Sequence, residues 1–258
     1  ARETAPLQSH KNMYLDENAN VIKNMSTLGP LSAGIPGVPA VLSYVNDKYG
    51  SKKLSTLLDP AYEAAINGFP VNERYLKGAK YKKKWLKKYK ETEAIFLHNG
   101  EVPKKGWILK QTDLARTIKK LMKDGHRSFY TGGFAKRMVE SVQNNGGIWS
   151  EGDLNRYKVL EREPVRSSYK GISIIAPGLP SSGGLVLSNA LNILAGYELD
   201  KLSPTTQKHL IIESLRRAYY ERALKMGDPD FMDNTLEFLL TPSYAAKQRE
   251  SLNINYAT

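Results

Sequence analysis

Arg2-Glu3-Thr4-Ala5-Pro6 opens the chain, Pro180-Ser181-Ser182-Gly183-Gly184 lies far downstream, and Gly227-Asp228-Pro229-Asp230-Phe231 follows that. Each string is short, and it is their order and spacing that carry information. The first places a fork of guanidinium donors beside a proline. The second puts two glycines at the entrance to an apolar run, as a strand-to-helix turn requires. The third stops a long helical pattern with Gly and Pro.

Around these strings the text reads mostly as helix. Gly34-Ile35-Pro36-Gly37-Val38-Pro39 predicts a tight extended turn. Helical spacing follows over 40–49 with Gly50 as the stop, and over 55–67 with Gly68 as the stop and Pro60 placed best in the first turn. Residues 72–92 read as one long basic helix, 95–97 as a short strand, and Asn99-Gly100 as a turn. Further helices are expected over 113–123, capped by Asp113 or Thr112, and over 133–144. Strands are expected over 159–165 and 172–175. Helices over 185–195, 205–226 and 242–250 complete the series. So few strands are odd for a complete α/β domain and fit a piece whose sheet is finished elsewhere.

Composition narrows the function classes. The chain has 258 residues, 41% hydrophobic and 25% charged, ordinary values for a globular protein. It has no cysteine, which excludes disulfides, thiolate metal sites and a cysteine nucleophile. No apolar run approaches the roughly 20 residues of a membrane helix. The chain opens with Ala1 rather than Met, so the natural N-terminus is expected upstream.

The formal charge is +12, and much of it sits between Lys77 and Lys90. Tyr81, Trp85 and Tyr89 are spaced four apart within that run and share one helical face. A nucleic-acid patch is one reading. The favoured one is a surface helix whose aromatic stripe packs inward while lysines face water, because arginine is absent from the run.

Candidate chemical groups are few. Arg2 presents the planar fork that grips a carboxylate through two parallel hydrogen bonds. Ser182 reads as lying near a helix N-cap, and Thr205 or Thr206 as a cap. Asp228 and Asp230 lack the further oxygen ligands of a calcium loop and read as a helix stop and turn. His10, His98, His126 and His209 are scattered. His209 and Glu213 stand one turn apart but do not form a zinc-hydrolase motif.

The three opening strings, read with Gly34–Pro39, Asp47-Lys-Tyr-Gly50, Asn67-Gly-Phe69, Phe129-Tyr-x-Gly132, Asn145-Gly-Gly147, Asp153-Leu154 with Tyr157, and Asn192-Ile-Leu194, resemble the large subunit of the γ-glutamyltransferase family over nearly the whole chain. Two places depart from the family pattern, Pro177-Gly178-Leu179-Pro180 and Tyr219-Tyr220-Glu221-Arg222.

The resemblance implies an α+β, helix-rich fold, the large-subunit portion of an N-terminal nucleophile hydrolase four-layer αββα sandwich. Residues 1–258 would be a single domain, incomplete without an N-terminal segment and a small subunit cut from the same precursor. Arg2 would bind the α-carboxylate of a γ-glutamyl substrate. The nucleophilic threonine would lie in the small subunit, with no catalytic residue in this chain, no cofactor and no metal. The serine pair that binds substrate in the family belongs to the small subunit, so Ser181 and Ser182 receive no such role.

The implied reaction is attack of the threonine hydroxyl on the γ-carbonyl of glutathione or a related compound, then release of the acyl group to water or an amino acid. This chain alone would be inactive. The implied partners are the small subunit and the small-molecule substrate, without nucleic acid or a membrane span, and the implied location is periplasmic or extracellular. Alternatives are a same-fold relative, such as a poly-γ-glutamate depolymerase or cephalosporin acylase, and a non-catalytic fragment that binds polyanions through residues 77–90.

Overall fold

The computed structural model describes residues 2–232 and 236–258. The chain divides into two compact units, Ala1–Leu160 and Glu161–Thr258.

The first unit is helical. After an N-terminal segment that holds isolated bridges and the short 3-10 helix Pro30–Ser32 come α1 (Val38–Tyr49), α2 (Leu54–Asn67), α3 (Glu73–Leu86), α4 (Lys90–Phe96), α5 (Thr112–Asp124), α6 (Arg127–Tyr130), α7 (Gly132–Asn144) and α8 (Glu151–Asn155). Two short strands, β1 (Phe69–Pro70) and β2 (Ile108–Leu109), pair antiparallel. The core that positions the N-terminal segment gathers Ile35, Ala40, Tyr130, Ala135, Val139, Trp149 and Leu154. Burying these side chains is the main favourable term for this unit.

The second unit is built on a hairpin and three helices. Strands β3 (Val165–Tyr169) and β4 (Ile172–Ala176) pair antiparallel from Val165↔Ala176 to Tyr169↔Ile172. Helix α9 (Gly183–Leu194) is buried along most of its length beside α10 (Pro204–Lys225) and α11 (Pro242–Glu250). Gly184 has a structural reason: a Cβ there would lie 2.8 Å from both Ala176 Cβ and the Pro177 carbonyl. The polar groups of α9 bind across the unit. Asn189 Nδ2 donates to the Leu239 carbonyl at 2.9 Å, Asn192 Nδ2 to the Leu240 carbonyl at 2.9 Å, and the Ser167 and Ser188 hydroxyls share a bond of 2.7 Å.

Several expectations need correction. The basic helix does not run through 72–92. It ends at Leu86, where the Thr92 hydroxyl binds the carbonyls of Leu86 and Tyr89, each at 2.8 Å, and so satisfies acceptors that a helix end leaves bare. Residues 95–97 are no strand, since Ile95 and Phe96 lie in α4.

Pro60 sits inside α2 rather than in its first turn. The strand expected over 159–165 begins only at Val165. The two-residue turn at Lys170 (φ 46°) and Gly171 (φ 82°) fixes which residues face β4. Gln111 occupies the N-cap position of α5 without a side-chain bond, and the Asp113 carboxylate pairs instead with Arg116 at 2.5 Å. Neither Thr205 nor Thr206 caps α10, because the Ser203 hydroxyl accepts from the Thr206 N–H at 3.2 Å.

Candidate functional site

The N-terminal segment that carries Arg2 is tied down at four points. Thr4 forms an antiparallel bridge with Ile35, the Ile35 N–H donating to the Thr4 carbonyl at 2.8 Å. The Tyr157 hydroxyl donates to the Arg2 carbonyl at 2.7 Å. The Leu7 N–H donates to Asp153 Oδ1 at 2.6 Å, and Pro6 is buried.

Asp153 does double duty. Its other oxygen accepts from the Ser150 N–H at 2.7 Å and the Ser150 hydroxyl at 2.8 Å, closing the capping box that starts α8. One buried carboxylate thus joins the N-terminal segment to a helix 146 residues away.

The extended turn predicted at 34–39 forms the floor beneath Arg2. A Cβ on Gly37 would lie 2.0 Å from the Tyr157 hydroxyl and 2.7 Å from the Arg2 carbonyl, and one on Gly34 would lie 2.8 Å from Glu3 Cγ. Only glycine lets the two stretches approach so closely. Tyr130 holds the same turn. Its hydroxyl donates to the Pro36 carbonyl at 2.7 Å and accepts from the Ala40 N–H at 3.3 Å. The Tyr130 and Tyr157 rings stack with centroids 5.3 Å apart and an interplanar angle of 9°.

Burial pushes the Tyr130 phenol up to about 12, and burial likewise raises that of Tyr157, against the opposing effect of the Arg2 charge. Both phenols therefore stay protonated at neutral pH and act as donors. Arg2 is partly buried. Its main chain is held by a phenol, a β-bridge and a capped helix, so the guanidinium springs from a fixed base. Such a base lowers the entropy lost when a carboxylate is gripped. Tyr157, Gly37 and Asp153 carry this arrangement. The sequence marked them only as parts of family-like strings and not for these contacts, because their partners lie far along the chain.

The remaining candidates resolve into structural parts. Ser182 stands at the N-cap position of α9 without capping it, and its hydroxyl accepts from Arg222 Nε at 2.8 Å. The serine string and the departing Tyr219–Arg222 string thus meet, beside a hollow of about 250 Å³ lined in part by Leu179, Pro180 and Met226. The Asp230 carboxylate accepts twice from Arg162 Nη2, at 2.6 and 2.7 Å, and the Asp228 carboxylate accepts from the Asp230 N–H at 3.0 Å. This is a stop and turn, as read from the sequence.

His209 and Glu213 do not converge. His209 Nε2 lies 2.7 Å from the Asn253 carbonyl, whereas Glu213 is buried and bound by Arg216, Arg217 and the Thr258 hydroxyl. Among the described residues, no three His, Asp or Glu side chains gather as metal ligands. No helix among them is long and apolar enough to cross a membrane. The aromatic stripe is only half as expected: Trp85 and Tyr89 are partly buried, but Tyr81 is 81% exposed.

Comparison with known proteins covers the same ground from another side. The family model described as Gamma-glutamyltranspeptidase matches residues 1–258. A glutathione hydrolase proenzyme of Pseudomonas sp. (strain A14) is 39% identical over 255 residues, which is 98% of this chain and 44% of the relative. The glutathione hydrolase proenzyme of Escherichia coli (strain K12) is 33% identical over 259 residues, 99% of this chain and 45% of the relative. The chain therefore spans less than half the length of these curated relatives. The crystal structure of Helicobacter pylori gamma-glutamyltranspeptidase superposes with a TM-score of 0.96 at 35% identity, covering 100% of this chain and 74% of that one. The fold is accordingly the expected one, the helix-rich α+β large-subunit portion of the N-terminal nucleophile hydrolase sandwich.

Proposed function

The chain belongs to the gamma-glutamyltranspeptidase family, and on that premise we propose that it is the large-subunit part of an enzyme that cleaves γ-glutamyl amide bonds, with Arg2 as the clamp for the substrate α-carboxylate. The observation that carries this reading is the fixed base of Arg2, held by Tyr157 from one side and the Thr4–Ile35 bridge from the other. A clamp must place the γ-carbonyl at attack distance, and pre-paid orientation supplies much of an enzyme's rate.

In this reading the chain binds and orients, and a threonine at the head of a small subunit attacks. The α-amino group of that threonine takes the hydroxyl proton. Backbone N–H groups stabilise the tetrahedral oxyanion. Water or an amino acid then receives the glutamyl group. Residues 1–258 form one domain with the missing segments, cut from a single precursor and exported to the periplasm or the medium. Exposed apolar side chains in the second unit support a covering partner. Ile172 and Ile175 on β4 are exposed, as are Ile212, Leu215 and Tyr219 on one face of α10. A two-stranded hairpin is marginal unless something packs on it.

The test is steady-state kinetics of the full-length protein with γ-glutamyl-p-nitroanilide. Arg2→Ala should lower kcat/KM by an amount equivalent to about 3–5 kcal/mol, because the substrate carboxylate loses a two-pronged charged partner. Arg2→Lys should be impaired as well, since an ammonium cannot reproduce the fork. Wild-type kcat/KM in either variant would remove Arg2 from the clamp.

A further inference from the structure

The sequence contains three Asn-Gly pairs, Asn67-Gly68, Asn99-Gly100 and Asn145-Gly146, and all three asparagines are exposed. Such a pair carries its own chemistry. The main-chain nitrogen of the glycine attacks the side-chain carbonyl carbon of the asparagine, ammonia leaves, and a five-membered succinimide remains. Water then opens the ring at either carbonyl and leaves aspartate or isoaspartate. Glycine favours the attack because no Cβ shields its nitrogen. Two groups must be free for it, the glycine N–H and the asparagine side chain.

In two of the pairs neither group is free. Asn67 is the last residue of α2. Its Nδ2 donates to Glu63 Oε2 at 2.5 Å, and the Gly68 N–H donates to the Ala64 carbonyl at 3.1 Å. Asn145 follows the end of α7. Its Nδ2 donates to the Ser141 carbonyl at 2.8 Å, and the Gly146 N–H donates to the Gln143 carbonyl at 2.9 Å. Both pairs sit at helix ends, where such bonds satisfy carbonyls that the helix leaves bare.

Asn99-Gly100 is held differently. It is the two-residue turn between His98 and Glu101, with Asn99 at φ 50° and Gly100 at φ 75°. An isolated bridge closes the turn: the His98 N–H donates to the Glu101 carbonyl at 2.8 Å, and the Glu101 N–H donates to the His98 carbonyl at 3.0 Å. No ladder extends from this bridge among the described residues, so little resists its opening. Neither the Asn99 side chain nor the Gly100 N–H makes a hydrogen bond among the described residues. The charged side chains beside the turn are matched, Glu93 by Lys87 and Glu101 by Lys83.

We propose that Asn99 is a self-modification site, where the Gly100 nitrogen converts the Asn99 amide to aspartate and isoaspartate with loss of ammonia while Asn67 and Asn145 persist. Each conversion adds a carboxylate and lowers the formal charge of +12 by one. The isoaspartyl product also routes the main chain through the former side chain, one methylene longer, so the two-residue turn no longer matches its bridge.

Ageing the full-length protein in mildly alkaline buffer, then mapping its peptides by mass spectrometry, tests this. The peptide that holds Asn99 should gain the mass of an amide turned to an acid and split by retention into aspartyl and isoaspartyl forms. It should convert about tenfold faster than the peptides that hold Asn67 and Asn145, because each of those pairs must first give up two hydrogen bonds. In urea the three rates should draw together, since the protecting bonds are gone. Isoelectric focusing should show one acidic species growing at the Asn99 rate. Asn99→Gln should keep the parent's melting temperature and lack that species, because its ring would need six members.

Equal rates at the three sites in the folded protein overturn the proposal, as does an Asn99 that persists while either of the others converts. A rate advantage for Asn99 that survives in urea would assign the effect to flanking sequence rather than to the turn. An acidic species that still grows at the parent's rate in Asn99→Gln would place the modification elsewhere.

Discussion

Gly37→Ala is the sharpest perturbation of the Arg2 base, because Gly37 lies where the N-terminal segment, the 34–39 turn and Tyr157 meet. The added Cβ would stand 2.0 Å from the Tyr157 hydroxyl oxygen, 2.7 Å from Tyr157 Cζ and 2.7 Å from the Arg2 carbonyl. Side-chain flexibility cannot absorb contacts this short, since one of the groups is main chain and another is a stacked ring. Tyr157 must withdraw. Its bond to the Arg2 carbonyl is then lost, about 0.5–1.5 kcal/mol net. The stack on Tyr130 loosens, about 0.5–1.5 kcal/mol, and residual overpacking adds about 1–3 kcal/mol. These effects overlap, so the expected loss is about 2–4 kcal/mol by urea titration.

In the full-length protein the same change should raise KM for γ-glutamyl-p-nitroanilide, because the base of Arg2 shifts. Tyr157→Phe alone should cost about 1–2 kcal/mol. The double variant should cost less than the sum by about 1 kcal/mol, since the shortest contact has gone while those with Cζ and the Arg2 carbonyl remain. Strict additivity of the two changes would refute the claim that Gly37 is glycine to make room for that hydroxyl.

Two further outcomes are expected. Burial alone would push the Glu213 carboxyl up, but bonds from the Thr258 hydroxyl and from Arg217 and Arg216 hold it at about 2, below its ordinary 4.5. A carboxyl depressed in the folded state stabilises the fold above about pH 4.5, and that stability drains away as pH falls from 4.5 towards 2. The difference in urea midpoint between the parent and Glu213→Gln should therefore shrink across this window; a constant difference would count against a charged Glu213 network. Gly78→Ala should stabilise α3 by about 0.5–1 kcal/mol, because the site is helical and open and alanine loses less backbone entropy. A lower thermal midpoint in Gly78→Ala would mean that the helix surface at Gly78 is tighter than its geometry indicates.

Much of the helical framework was legible because its punctuation is local. Gly50 and Gly68 follow the ends of α1 and α2, Gly125 that of α5, and Pro204 and Met226 bracket α10 almost as read. The failures share a cause. Nothing between Lys87 and Tyr89 is a helix breaker, so the end of α3 at Leu86 could not be read; a hydroxyl on the next helix makes it. Val159 and Leu160 suggested a strand, but Glu161, Arg162, Glu163 and Pro164 follow them, a strand exists only where a partner pairs, and β4 reaches no further than Val165.

Tyr81 shares its four-residue spacing with Trp85 and Tyr89 and yet is exposed, because periodicity assigns a face without saying whether anything covers it. The sequence by itself determined the family and the helix-rich class, and through the family resemblance it singled out Arg2 as the proposed clamp, since these rest on residue identity and order along the chain. Tertiary structure alone decided what holds Arg2. The Tyr157 hydroxyl and the Asp153 carboxylate join segments about 150 residues apart, the close approach at Gly37 brings Tyr157 and Arg2 together on one turn, and a contact between distant segments leaves no local pattern for a reader of sequence to find.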